Sequence, residues 1–257
     1  MLGNHDIWTC NSTWQEEEPT GDALFAQTFA EVFKTFPYGK LVYSNAPVWD
    51  PLLNITIACQ NWELQYDGTI FFGLDWNSRE HVVPELGYFG SMPGCALHNY
   101  PGGTFNWLGT RLERLKDKES QIVTFHHQPF DLPIVFPGAI FAFGEEERTA
   151  IRNLYAHNHP ISQYWGVIAG HMHIWWDSPA FPRQAEWTSF RQWETCACKS
   201  SAAFSIATMA DGKLQSLSKH YGDGEIHTPN DYLCGEGKYL VSHKNTLESI
   251  QQALREL

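Results

Sequence analysis

The sequence predicts an α/β fold, because strand-like apolar runs alternate along the chain with segments of helical periodicity. Two observations carry this prediction. A helical segment at 145–157, with glutamates at its start where the helix dipole favours them, separates strand-like runs at 121–125 and 166–169. Asp-Gly dipeptides at 67–68 and 211–212 each interrupt a run of strand-forming residues, and this dipeptide is typical of tight β-hairpins.

The remaining elements follow the same local rules. A helix is expected after Asp22, a residue suited to the N-cap, because apolar residues recur at helical spacing until Pro37 ends the helix. In chain order, the predicted elements are a helix at 22–36, strands at 41–43, 53–60 and 62–73, a helix at 105–118, a strand at 121–125, a helix at 145–157, strands at 166–169, 202–209 and 213–221, and a helix at 246–257. Neither a linker nor an internal repeat interrupts this order, so we expect a single domain over 1–257.

Composition and net charge limit the classes of protein to which the chain can belong. With 257 residues, 43% of them hydrophobic and 18% charged, the chain is typical of a globular protein rather than a disordered one. Its 29 acidic and 17 basic side chains give a net charge of −12, whereas a protein that neutralises nucleic-acid phosphates carries an excess of basic residues. We therefore expect no nucleic-acid partner. No transmembrane segment is expected either, since the most apolar stretch, at 130–143, is short and contains Pro133 and Pro137.

The cysteines and two N-x-[ST] tripeptides favour a secreted or lumenal protein. Six cysteines form an even number, which is compatible with disulfides in an oxidising compartment. Asn11 and Asn54 each begin a tripeptide that could accept a glycan there. Cys196 and Cys198 are too close together for a zinc knuckle, so a structural role is expected for them.

Three segments carry histidines at positions where a functional site is expected. They are Gly3-Asn4-His5-Asp6, His126-His127 after the strand at 121–125, and Gly170-His171-Met172-His173 after the strand at 166–169. Because ligands bind at the carboxyl ends of strands in α/β sheets, we expect these segments to meet in one site. Either His126 or His127 could face that site, and the spacing to Pro129 favours His127. Among the other histidines, His98 is the one that could reach a substrate.

These segments, in this order, resemble the last three motifs of the calcineurin-like metallophosphoesterases: G-N-H-[DE], a strand-end histidine and G-H-x-H. The helix that begins near Trp107-Leu108 is similar to the helix that precedes the strand-end histidine in that family. The resemblance covers residues 1 to about 221. It implies a two-sheet β-sandwich flanked by helices, and metal-dependent hydrolysis of a phosphomonoester or phosphodiester.

The resemblance also implies roles for individual residues. Two divalent or trivalent metal ions, of iron, zinc or manganese, would clamp the phosphoryl group and activate water, so that a metal-bound hydroxide attacks phosphorus. His5 would protonate the leaving oxygen as general acid, and Asp6 would orient the His5 ring. The metal ligands implied are Asn4, His127 and His171 for the second metal and His173 for the first.

The chain departs from the family pattern at its beginning. The D-x-H and G-D-x-x-D motifs, which carry the bridging carboxylate, would precede Gly3, and no later segment replaces them. We therefore expect an N-terminally incomplete copy that lacks the first strands of the sheet and whose hydrolysis is impaired. A non-catalytic binding or scaffold protein is the alternative. The expected partner is a small-molecule or lipid-linked phosphate ester, and the apolar stretch at 130–143 either borders the site or packs into the domain.

Overall fold

Three α-helices and twelve strands form within the residues that the computed structural model describes, which are 21–44, 46–79, 95–131, 142–171, 176–195, 204–220 and 226–227. In chain order they are α1 (Gly21–Lys34), β1 (Lys40–Ser44), β2 (Val48–Asp50), β3 (Ile55–Ile57), β4 (Asn61–Tyr66), β5 (Thr69–Leu74), α2 (Thr104–Leu115), β6 (Gln121–His126), α3 (Glu145–Asn158), β7 (Tyr164–Ala169), β8 (Trp176–Pro179), β9 (Arg191–Glu194), β10 (Phe204–Ala210), β11 (Lys213–His220) and β12 (Ile226–His227).

Seven strands form a mixed sheet with the order β1-β4-β5-β6-β7-β9-β8. β5, β6, β7 and β9 are parallel, whereas β1, β4 and β8 run antiparallel to their neighbours. At the carboxyl ends of the parallel strands, the register aligns Leu74, His126, Ala169 and Glu194 in one row across the sheet. We call this end of the sheet the carboxyl edge.

The larger hydrophobic core lies between one face of this sheet and the helices α2 and α3. Successive side chains of a strand point to opposite faces, so Ile70, Phe72 and Leu74 of β5 enter the core together. Leu112 of α2 and Tyr155 of α3, both fully buried, pack in the same cluster. Each large side chain buried in this way contributes about 1.5–3 kcal/mol to folding.

The β10–β11 hairpin packs on the opposite face of the sheet. A second apolar cluster joins Val123, Ile168, Leu214 and Leu217. The two Asp-Gly turns also meet, because the Thr69 hydroxyl donates a 2.8 Å hydrogen bond to the carbonyl oxygen of Gly212. β12 extends the hairpin to a three-stranded sheet. The large sheet is therefore covered by helices on one side and by this hairpin on the other.

The α/β class and both predicted hairpins are confirmed, but the single strand predicted at 53–60 is wrong. The chain forms instead the short antiparallel strands β2 and β3. One carboxylate oxygen of Asp50 accepts hydrogen bonds from the backbone N–H groups of Leu52 and Leu53. Asn54 then adopts a φ of 58°, in the left-handed region that asparagine tolerates. These contacts reverse the chain where the sequence indicated a continuous strand.

Strands β8 and β9 were not predicted. The buried residues of β9 are Gln192 and Glu194, so the strand lacks the apolar alternation that indicates a half-buried strand. The helix predicted at 246–257 lies outside the described residues. So does most of the apolar stretch at 130–143, although its ends, Phe130 and Phe143, are buried with ring centroids 5.1 Å apart.

Two of the six cysteines lie within the described residues. Cys59 and Cys95 are free thiols, and the other four cysteines lie outside the described residues. In the part of the chain that the structure describes, no helix is long and apolar enough to cross a membrane.

Candidate functional site

The carboxyl edge brings together two of the histidines that the sequence singled out. His127 follows β6 and His171 follows β7, and the Nε2 atom of His127 lies 3.1 Å from the Nδ1 atom of His171. Their ring centroids are 4.9 Å apart and the ring planes are inclined by 68°. The backbone N–H of Gly170 donates a 2.9 Å hydrogen bond to the carbonyl oxygen of His127, which joins the two loops directly.

His171 has an uncommon backbone conformation. Its φ of 80° lies in the left-handed region, which few residues other than glycine adopt, although histidine occurs there more often than most. Such conformations persist only where the surrounding structure enforces them, and they cluster at functional sites. This conformation is part of the geometry in which His171 meets His127.

His126 is buried away from this pair. Its side chain has no exposed surface, and its ring centroid lies 4.7 Å from that of Phe130 and 5.8 Å from that of Phe143. The Nδ1 atom contacts the carbonyl oxygen of Gln128. Burial lowers the pKa of His126 to about 3, so the ring is neutral at physiological pH. Adjacent histidines therefore occupy different environments, and His127 is the one that contacts His171.

The other predicted site residues lie outside the described residues: Asn4, His5, Asp6 and His173. Within the described ranges, no group of three or more His, Cys, Asp or Glu side chains is arranged to hold a metal ion.

The contact between His127 and His171 has the chemistry and the spacing of a pair of metal ligands. Neutral imidazole nitrogens are common ligands of zinc, iron and other transition metals. A tetrahedral zinc ion with Zn–N bonds of about 2.0–2.1 Å holds two nitrogens about 3.3 Å apart. The separation of 3.1 Å between the facing nitrogens is close to this value. Without a metal, the same distance suits a hydrogen bond between the two rings.

His98, for which the sequence left open either a structural role or a substrate contact, is buried, which favours the structural role. Its Nδ1 atom lies 2.8 Å from the Tyr100 hydroxyl, and its Nε2 atom lies 2.9 Å from the carbonyl oxygen of Asn77. Burial, reinforced by the nearby charge of Arg79, lowers the pKa of His98 to about 4. Both ring nitrogens thus have partners within the protein.

A buried ion pair follows β5 at the carboxyl edge. The Arg79 guanidinium donates to both carboxylate oxygens of Asp75, at 2.7 and 3.0 Å. Burial alone would raise the pKa of Asp75, but the Arg79 charge and its hydrogen bonds outweigh burial and hold the pKa at about 2. The backbone N–H of Gln60 donates a further bond of 2.9 Å to Asp75. Asp75 is therefore a fixed, ionised group beside the site.

Glu194, at the end of β9, is a buried carboxyl group that sequence reasoning missed. Its side chain has no exposed surface, and neither carboxylate oxygen has a hydrogen-bond partner within the part of the chain that the structure describes. Burial raises the pKa of Glu194 well above its usual value, which favours the protonated form. No alternation of apolar and polar residues marks β9 in the sequence, so the burial of Glu194 could not be predicted.

Comparison of the chain with models of known protein families and with curated proteins gives no match.

Proposed function

We propose that this chain is a metal-dependent phosphoric ester hydrolase of the metallophosphoesterase type, built as a two-sheet sandwich flanked by helices. The observation that supports it most is the 3.1 Å contact between His127 and His171. These residues lie 44 positions apart, in the two described segments that resemble the family's metal-binding motifs. Their meeting at the carboxyl edge agrees with the place where α/β sheets bind ligands.

In this proposal, His127 and His171 hold one metal ion together with Asn4, and His173 contributes to the second. Bound metal ions would activate a water molecule and stabilise the negative charge that develops on the phosphoryl oxygens. His5 holds the proton that the leaving oxygen accepts, and Asp6 orients the His5 ring. We further propose that the substrate is a small-molecule or lipid-linked phosphate ester.

Turnover of model esters by the full chain tests the proposal. Zn²⁺, Mn²⁺ or Fe²⁺ is added separately, and hydrolysis of p-nitrophenyl phosphate and bis(p-nitrophenyl) phosphate is followed. We expect weak metal-dependent hydrolysis that falls to the uncatalysed background in His127→Ala and His171→Ala, since each removes a ligand. His157→Ala, which changes an exposed histidine of α3, is the matched control and should retain activity.

Two outcomes would contradict the proposal. Hydrolysis that is unchanged in both ligand variants would show that His127 and His171 do not take part in the reaction. Metal binding that depends on His127 and His171, with no turnover of either ester, would instead support the non-catalytic binding or scaffold protein.

A further inference from the structure

The buried side chain of Gln192 in β9 holds one side of the loop that carries His127, residues 127–131. Arg148 of α3 adds a 3.1 Å hydrogen bond to the Phe130 carbonyl oxygen of the same loop. The Oε1 atom of Gln192 accepts hydrogen bonds from the backbone N–H groups of Phe130, at 2.6 Å, and Asp131, at 3.2 Å. The Nε2 atom of Gln192 donates to the carbonyl oxygen of Asp131 at 2.8 Å. Three hydrogen bonds therefore join one fully buried amide to the backbone of this loop.

On its other side, the same loop is joined to the buried ion pair after β5. Nε2 of Gln128 donates a 2.6 Å hydrogen bond to Oδ1 of Asn77. Nδ2 of Asn77 in turn donates to Asp75 at 3.0 Å, and Asp75 is held by Arg79. All of these side chains are buried, so moving the loop would leave polar groups without partners at a cost of about 1–3 kcal/mol each.

We propose that Gln192 and Asn77 are positioning residues that hold His127 in the orientation in which it meets His171. Neither side chain is placed to bind a metal itself. Gln192 holds the loop backbone at Phe130 and Asp131, and Asn77 holds the loop through the Gln128 side chain. These contacts fix the segment that directly follows the histidine, so that little conformational freedom is lost when a ligand binds the pair. The inference rests on the proposed function for the role of His127 as a metal ligand.

Cobalt binding to the full-length chain tests the inference. Co²⁺ is titrated while its visible absorption is followed, and dissociation constants are compared among variants. We expect Gln192→Leu and Asn77→Leu to raise the dissociation constant about 10–100-fold, the range found when groups that support metal ligands are removed. Gln192→Glu keeps an oxygen that accepts from Phe130 and Asp131, and burial favours the protonated carboxyl group, which keeps a donor to Asp131. A smaller weakening than in Gln192→Leu is therefore expected. Gln192→Glu also allows the inference to be tested if the leucine variants do not fold.

Tyr164→Phe is the matched control, because it removes a buried hydroxyl that donates to the Tyr155 carbonyl oxygen. Tyr164 lies at the start of β7, at the opposite end of the strand from the carboxyl edge. This variant should lose stability but keep the dissociation constant for Co²⁺ within about twofold of wild type. A loss of affinity equal to that of Gln192→Leu would show that general destabilisation, rather than positioning, weakens the site, and would overturn the inference.

The metal-free protein provides a second readout. Imidazole ¹⁵N NMR signals of His127 and His171 should move in Gln192→Leu, or in Gln192→Glu, and stay unchanged in Tyr164→Phe. If the wild-type chain binds no Co²⁺, the proposed function fails while these signals still decide whether the loop is positioned by Gln192. Unchanged imidazole signals in folded Gln192 and Asn77 variants would overturn the positioning role even if metal binding were confirmed.

Discussion

At the residue scale, Glu194 is a carboxyl group whose surroundings suit only one of its protonation states. It is fully buried and receives no hydrogen bond within the described residues, so ionisation in the folded protein would place an uncompensated charge in an apolar environment. Its pKa is therefore higher in the folded protein than in the unfolded chain. The group binds its proton more tightly when the protein is folded, and this links its titration to stability.

Replacing Glu194 with glutamine should remove this pH dependence. Below about pH 4.5, its usual pKa, the wild-type carboxyl group makes its full contribution to the stability of the folded protein. This contribution is lost as the pH rises through the raised pKa that the group has in the folded protein. We expect Glu194→Gln to match wild type at pH 4 and to be more stable at pH 8 by on the order of 1 kcal/mol or more. Urea denaturation at both pH values measures this, with exposed Glu119→Gln as control. A stability difference that does not change with pH would contradict the prediction.

The sequence allowed only some of the site residues to be predicted. His127 and His171 were accessible because they follow recognisable strands within short motifs. Asn77, Gln192 and Glu194 were not, because polar residues are mostly exposed and their burial depends on contacts formed only after folding. Residues that support a site are therefore harder to predict than residues that form it.

At the scale of elements, the pairing of β4 with β5 depends on a glycine that lies beneath a tryptophan. Gly73 faces Trp62 across the two strands, and a Cβ atom at position 73 would lie 2.1 Å from the indole ring. The Trp62 ring also packs against Phe125 of β6, with 5.7 Å between centroids. The absence of a side chain at Gly73 thus lets one aromatic ring lie across three neighbouring strands.

Gly73→Ala should destabilise the protein by about 1–3 kcal/mol, because the added methyl group forces the Trp62 ring to move. Gly109→Ala is the matched control, since a Cβ atom there lies 3.2 Å from the end of the Leu154 side chain and alanine favours the helix α2. We expect that variant to remain within about 1 kcal/mol of wild type. Chemical denaturation distinguishes the two, and equal stability of both variants would refute the role given to Gly73.

Elements differ in how far their sequence determines them. Both Asp-Gly hairpins were predicted correctly, because the left-handed backbone of their turns is a local requirement that the dipeptide satisfies. β8 and β9 are four residues each and could not be predicted, since the pairing of β9 with β7 and with β8 is decided by the whole sheet. Prediction succeeded where local chemistry was sufficient and failed where long-range pairing was needed.

At the scale of the whole molecule, the contact between His127 and His171 links metal binding to folding. The pair exists only when β6 and β7 are paired and both loops are in place, so a metal that binds both histidines binds the folded chain in preference to the unfolded one. Such a ligand stabilises the folded state by about 2.7 kcal/mol when its concentration is 100 times its dissociation constant. For a chain of this length, that corresponds to a rise of about 5–10 °C in Tm.

We expect Zn²⁺ to raise the Tm of the wild-type chain by this amount, and an excess of chelator to reverse the rise. The double variant His127→Ala/His171→Ala should show no rise, because neither imidazole remains to distinguish the folded state from the unfolded one. His157→Ala should behave as wild type, since a metal that binds exposed histidines singly also binds them in the unfolded chain and gains little from folding. An equal rise in the Tm of the double variant would mean that Zn²⁺ binds the folded chain at another place, and it would contradict a metal site at the carboxyl edge.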